Sequence, residues 1–379
     1  MELNLLKDIV IIFALSTLVN LLFVRMKVPG VVGYLLTGMI AGPHLLGLIS
    51  DIHNIELLAE IGVILLLFTI GMEFSLKHLL KIRRIVFLGG LMQVSFTAGA
   101  FFLASQVYGL DQQGSVFMGF VAALSSSALV LKLLQERSEL TSNYGRTVVG
   151  ILIFQDIMLV PLLLFTNLMG TGAENLTRDV LLLIVKAAFI IGLVYAGNKW
   201  LLPRLLYLIA KTRSEELFLI TIILICLSVA LLTSSLGMSL AFGAFLAGLM
   251  ISDSDYSHNA FGNLIPFKDV FTSFFFVSIG MLFNISFIAE NWALVLLSVA
   301  MVLIVKTFIA GATGFALGHT FKGTVLVGLA LSQVGEFSFI LAGIGRSYDI
   351  ISAYYYQLFI AVAVITMAMT PFFMKLAGP

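Results

Sequence analysis

Apolar stretches of about twenty residues follow one another along the chain, separated by short polar connections. Runs of that length match the hydrocarbon thickness of a bilayer when helical. Thirteen are expected, at 3–24, 30–48, 55–74, 84–108, 115–135, 145–168, 178–203, 215–233, 239–251, 264–284, 292–318, 323–346 and 351–376. The first has Lys7 and Asp8 near its start and no small-residue cleavage signal after it, so it reads as a retained span. The pattern predicts an all-α polytopic membrane protein, a single transmembrane domain over 1–379 with no cytoplasmic regulatory domain in this chain.

Lysine and arginine alternate with the spans. Connections after even-numbered spans hold only Arg178 and Arg346, and Lys7, Lys186 and Lys306 lie within spans. The rest of the 21 basic residues follow odd-numbered spans. Positive charge marks the cytoplasmic side, so the N-terminus is expected outside and the C-terminus in the cytoplasm of a bacterial inner membrane.

An internal repeat overlies these spans. Phe68-Thr69-Ile70-Gly71-Met72 answers Val277-Ser278-Ile279-Gly280-Met281, an offset of 277 − 68 = 209. Gly33 to Gly38 answers Gly243 to Gly248 at 210, and Ala123-Leu124-Ser125-Ser126 answers Ala330-Leu331-Ser332-Gln333 at 207. Matching spans are seven apart, an odd number, so the copies (about 3–168 and 215–376, joined by a linker helix at 178–203) run in opposite senses. Inverted repeats and broken helices at mid-membrane are the architecture of secondary transporters. The breaks are expected in the fifth and twelfth spans, at Ser125-Ser126-Ser127 and at Ser332-Gln333-Val334-Gly335-Glu336. Unwound backbone at that depth lines a cavity or packs against protein. Its carbonyls and the three Ser hydroxyls are either cation ligands or small-residue packing surfaces.

Composition sharpens the class. Hydrophobic residues make up 60% and charged ones 11%, against about 25% charged in soluble domains. A net charge of +1 leaves no basic patch for nucleic acid. The single cysteine excludes an internal disulfide.

Charge inside the spans carries the candidate chemistry. Asp156, beside Gln155, lies in Gly150-Ile151-Leu152-Ile153-Phe154-Gln155-Asp156-Ile157-Met158-Leu159. A charge at mid-bilayer costs at least ~2.5–3.5 kcal/mol. Asp156 is therefore either a carboxylate that exchanges a proton for a monovalent cation or an acid locked in a structural pair. Lys306 falls at a similar depth in the eleventh span. It is expected to meet Asp156 in some state of a transport cycle, or else to compensate the carbonyl end of a broken helix. The five histidines show no metal-ligand spacing. Neither a Thr-Val-Gly-Tyr-Gly filter nor an intramembrane enzyme motif is present, which counts against a potassium channel and against an enzyme.

Four stretches together resemble the cation:proton antiporter superfamily, in particular its Kef-type potassium/proton branch. They are Gly62 to Phe68 running into Gly71-Met72-Glu73-Phe74, Phe154-Gln155-Asp156, His258 to Lys268, and Gln333-Val334-Gly335-Glu336-Phe337. The resemblance implies a sodium/proton antiporter-like fold with two crossed discontinuous helices, working as a homodimer through an elevator-like movement. It implies K+, or alternatively Na+, exchanged for H+ at Asp156, with Gln155 its neighbour and Lys306 the charge-compensating basic residue; Ser125, Ser126 and Ser127 as ion-binding groups and Glu336 as a second charge-compensating residue are expected from the breaks themselves. It also implies a regulatory-type cytoplasmic loop at His258, Asn263, Pro266 and Lys268. Phe261, Asn263 and Ile265 stand where the family pattern has acids, so glutathione gating is not carried over. Nucleotide and glutathione would belong to a regulatory domain outside this chain, and no cofactor is expected within it.

Overall fold

The computed structural model describes all residues except 1, 27, 29, 50, 74–83, 171–184, 187–188, 190–191, 193–195, 237–239, 253, 255 and 377–379. The described chain is helical: α1 (Glu2–Met26), α2 (Gly30–Ala41), α3 (Ile52–Glu73), α4 (Gly90–Val107), α5 (Gln112–Ala123), α6 (Ser127–Glu136), α7 (Asn143–Gly170), α8 (Leu202–Lys211), α9 (Glu215–Ser235), α10 (Leu240–Ser252), α11 (Ser257–Met281), α12 (Ile285–Glu290), α13 (Trp292–Ala316), α14 (Phe321–Ala330), α15 (Glu336–Ser347) and α16 (Ala353–Leu376). Wider π-helical turns at Arg84–Gly89 and Gly197–Leu201 lead into α4 and α8. Eight helices among the described residues are long and apolar enough to cross a membrane.

Both expected interruptions are present. The fifth span is α5 and α6 with residues 124–126 unwound between them, and the twelfth is α14 and α15 with residues 331–335 unwound. Two expectations need correction. The second span stops at Ala41 rather than 48, because Pro43 disfavours helix at the residue before it; the chain turns instead, Leu48 N–H donating to Ala41 O and Gly47 taking φ +57°. Residues His258 to Lys268, expected as a loop, lie in α11. Ala260 and Leu264, four apart, are fully buried there and continue the apolar stripe of the helix. Pro266 is accommodated within it, where residue i−4 is Gly262. The expected seventh span lies mostly outside the described residues.

The chain divides into two compact units, Met1–Ile52 with Ile82–Leu162 and Phe276–Pro379, and His53–Lys81 with Leu163–Phe275. Each unit therefore mixes both sequence repeats. In the first unit α2 packs on the end of α11: a Cβ on Gly38 would lie 2.0 Å from Val277 O, and one on Gly280 2.1 Å from Leu35 O. In the second unit α10 packs on α3 in the same way, a Cβ on Gly248 falling 2.1 Å from Phe68 O and one on Gly71 2.2 Å from Phe245 O. These eight residues pair off at offsets of 209 and 210. Each repeat lends a helix to the other through the same glycine contact.

The hairpins leading into the breaks repeat too, within the first unit. The turn after α4 uses Gly109 at φ +89°, and the turn after α13 uses Gly318 at φ +93°, the left-handed conformation that ends helices. Asp111 then caps α5 by accepting from Gly114 N–H, and Thr320 caps α14 by accepting from Gly323 N–H. Each of these pairs is 209 apart, so the sequence repeat is a repeat of structure.

Candidate functional site

The site is where the two unwound segments touch, inside the first unit. A Cβ on Gly335 would stand 2.4 Å from the carbonyl carbon of Ser125, so only glycine allows this crossing. Gly335 N–H donates to Leu124 O (3.2 Å), Ser125 Oγ to Leu331 O (3.0 Å) and Ser338 Oγ to Val121 O (2.7 Å), so each break is tied to the other.

Asp156 lies on α7 against the start of α6. The hydroxyl of Ser127, first residue of α6, reaches both carboxylate oxygens, Oδ1 at 2.8 Å and Oδ2 at 3.0 Å. The carboxylate thus sits at the amide end of a helix, where the dipole favours negative charge. It is half-buried, while Ser127 is buried. Pro161 lacks an N–H, which leaves the carbonyl of Ile157, beside Asp156, without its helical donor.

The three serines divide their work. Ser127 meets the carboxylate, Ser126 Oγ accepts from Leu129 N–H and so caps α6, and Ser125 bridges to the other break. Gln155 does not reach around Asp156. Its Oε1 accepts from Ser125 N–H at 2.7 Å and its Nε2 donates to Gln93 Oε1 at 2.6 Å. Gln93, on α4, is fully buried and donates in turn to Ala123 O and Thr97 Oγ1, both at 3.2 Å. Sequence reasoning passed over Gln93. The signal that marked Asp156, a polar group amid apolar residues, is present there in weaker, uncharged form.

Lys306 is fully buried on α13, and its Nζ donates to Ala122 O (2.6 Å) and Leu124 O (2.8 Å). A helix leaves its last four carbonyls without internal donors. Those at the end of α5 are all taken: Val121 by Ser338, Ala122 by Lys306, Ala123 by Gln93, and Leu124 by Lys306 and Gly335. Each of these carbonyls thus accepts at least one protein hydrogen bond, and Leu124 O accepts two.

Glu336, 3% exposed, is the first residue of α15, again at an amide end. Gln333 in the second break is fully buried, and among the described residues neither amide atom has a hydrogen-bond partner. Around the breaks each charge thus sits where helix dipoles favour it: Lys306 at the carbonyl end of α5, Asp156 and Glu336 at the amide ends of α6 and α15.

The remaining expected residues belong to the second unit. His258 is exposed and Asn263 half-buried on α11, and Lys268 pairs with Asp269 at 2.9 Å. Among the described residues no cluster of three His, Cys, Asp or Glu offers a metal-binding group.

Comparison with known proteins shows the family and the fold. The family model for the transmembrane part of sodium/hydrogen exchangers matches residues 10–375. K(+) efflux antiporter 6 of Arabidopsis thaliana is 32% identical over 99% of this chain and 64% of its own length. The putative cation/proton antiporter YbaL of Escherichia coli is 31% identical over 96% of this chain and 66% of its own. The chain thus spans about two thirds of these relatives. Among solved structures, the sodium proton antiporter MjNhaP1 of Methanocaldococcus jannaschii superposes over 100% of this chain and 99% of its own with a TM-score of 0.75, at 18% identity, and so shares the fold. The chain, a multi-pass helical membrane protein with two discontinuous helices meeting at a buried polar crossing, belongs to the sodium/hydrogen exchanger family of cation:proton antiporters.

Proposed function

We propose that this protein exchanges one potassium ion for one proton, the two cations taking turns at Asp156. The observation that carries the reading is the carboxylate itself, half-buried at the helix crossing and held by the Ser127 hydroxyl. With Lys306, Asp156 and Glu336 all ionised, the charges around the breaks sum to +1 − 1 − 1 = −1. One bound monovalent cation or one proton restores neutrality, and moving either across the bilayer then avoids carrying a net charge through hydrocarbon.

Two arguments favour potassium. The relatives above include one whose name is K(+) efflux antiporter. The carbonyls that end α5 also accept from protein donors, so they are less open to a cation at Asp156. A cation bound there keeps part of its water, and potassium, being larger, gives up the remainder more readily than sodium. Sodium is the rival cargo, since the family model is that of sodium/hydrogen exchangers. The protein works as a homodimer in a bacterial inner membrane, with its N-terminus outside, its C-terminus in the cytoplasm, and the crossed helices moving as an elevator. A nucleotide-binding regulatory domain is a further partner by family resemblance.

The test is proton flux in proteoliposomes driven by potassium and, separately, by sodium. Asp156→Asn is expected to abolish both fluxes, and the wild type to respond at lower potassium than sodium. Exchange surviving in Asp156→Asn would refute the site; a stronger response to sodium would reassign the cargo.

A further inference from the structure

Two carboxamides close a circuit across the first break. Ser125 N–H donates to Gln155 Oε1, Gln155 Nε2 to Gln93 Oε1, and Gln93 Nε2 to Ala123 O. The circuit begins on a backbone group that can only donate and ends on one that can only accept. The orientation of both amides follows from that, since turning either would set N–H against N–H or oxygen against oxygen. It joins residues 123 and 125, either side of the point where α5 ends, and satisfies an orphan acceptor and an orphan donor at once. Gln93, Thr97, Gln155 and Ser125 are each no more than 1% exposed, so water offers no substitute partner.

We infer that Gln93 is a positioning residue for cation binding. By holding Gln155 against Ser125 N–H, it keeps that amide oxygen out of the cation's coordination shell. It also fixes the backbone from which Ser127, two residues further on, reaches Asp156. The inference rests on the reading of Asp156 as the exchange carboxylate. Its consequence concerns selectivity. Held away, the amide leaves one oxygen fewer to replace the cation's water, which suits the cation that sheds water easily. Released, it adds an oxygen ligand and narrows potassium's advantage over sodium.

Two variants test this. Gln93→Met keeps volume but removes the acceptor for Gln155 Nε2 and the donor for Ala123 O, each buried. Its half-saturating potassium is expected to rise roughly tenfold, as the loss of buried hydrogen bonds implies, and its potassium-over-sodium preference to shrink. Gln93→Glu separates bonding from shape. Protonated, its hydroxyl donates to Ala123 O and its carbonyl accepts from Gln155, as in the native amide. Ionised, it sets a bare oxygen against the Ala123 carbonyl. The other charged groups at the break (Asp156 on α7, Lys306 on α13, Glu336 on α15) are common to variant and wild type, so the ratio of the two at each pH isolates the new carboxyl. Gln93→Glu should match wild type at acid pH and move part of the way to the Gln93→Met value at alkaline pH, since the carboxylate keeps the bond from Gln155 Nε2 but loses the one to Ala123 O.

Purified wild type, both variants and Asp156→Asn would be compared in proteoliposomes for potassium and sodium half-saturation over a pH series. The inference is overturned if both Gln93 variants keep the wild-type half-saturation and cation ratio throughout while Asp156→Asn is inactive. If Gln93→Met does not fold, Gln93→Asn, whose shorter side chain draws back from both Gln155 Nε2 and Ala123 O, takes its place: a wild-type half-saturation and cation ratio overturns the inference, and weaker potassium binding with a reduced preference supports it. Exchange by Asp156→Asn would instead defeat the underlying site reading.

Discussion

Ser127 has one proton to share between the two carboxylate oxygens of Asp156, which lie 2.8 and 3.0 Å from its hydroxyl. Ser127→Ala is expected to raise half-saturating potassium by roughly ten- to hundredfold, the range set by losing a hydrogen bond to a charged group; dose–response of proton flux in proteoliposomes reads it. Lys306 acts on the other side of the break. Lys306→Met would orphan Ala122 O and leave Leu124 O with Gly335 alone. An unmet buried acceptor costs roughly 1–3 kcal/mol, so the thermal midpoint in detergent should fall; an unchanged midpoint would remove the capping role. Asp156 and Lys306 were legible in the sequence because a charge in an apolar run is conspicuous and their spacing gives depth. What each touches was not, since depth says nothing of which way a side chain faces around its helix. Gln93 escaped notice for a related reason: a neutral amide in an apolar span becomes informative only once its partners are known.

At the scale of elements, the crossing depends on glycine. Gly335→Ala would drive a Cβ into backbone at Ser125 that has no room to yield. Loss of both exchange and stability is expected, measured by flux and by thermal unfolding; full activity would mean the breaks do not meet as described. The turn from α6 to α7 makes a pH-dependent tie. Arg137 Nε donates to Glu139 Oε2 at 2.6 Å and its Nη1 to Met374 O, on α16, also at 2.6 Å, while the Tyr144 hydroxyl donates to Glu139. Burial pushes the Glu139 carboxyl up, but the hydrogen bonds from Arg137 and Tyr144 and the charges of Arg137 and Lys322 outweigh it and hold the group below its ordinary 4.5. An acid depressed by folding contributes stability above its unfolded value and loses it as pH falls through the folded one. The wild type should therefore melt above Glu139→Gln at neutral pH, with the gap closing below about pH 4.5. A gap independent of pH would contradict the assignment. The breaks were legible from Ser and Gly clusters in apolar runs. The helix through His258 to Lys268 was not, because a proline among polar residues reads as a loop until Ala260 and Leu264 are seen to be buried.

For the whole molecule, the repeat was readable from three short matches, and the structure explains why two of them exist. Gly38, Gly71, Gly248 and Gly280 stand where helices from opposite repeats touch backbone to backbone, so the residues that betray the repeat are those its packing cannot change. The proposed orientation is open to direct test. With the buried Cys226 replaced, cysteines introduced at Asp111 and Ser352 should react with an impermeant reagent from outside, and those at Ser138 and His319 only after the membrane is opened. The reverse pattern would invert the topology.

The central claim is that one carboxylate holds potassium and proton alternately. Its most direct measure is the half-saturating potassium concentration of proteoliposomes across a pH series. Competition requires that value to climb by about tenfold for each unit of acidification once the proton predominates, with the maximal rate regained at high potassium. A half-saturation that stays level while the maximal rate falls would show that the proton acts somewhere other than the potassium site.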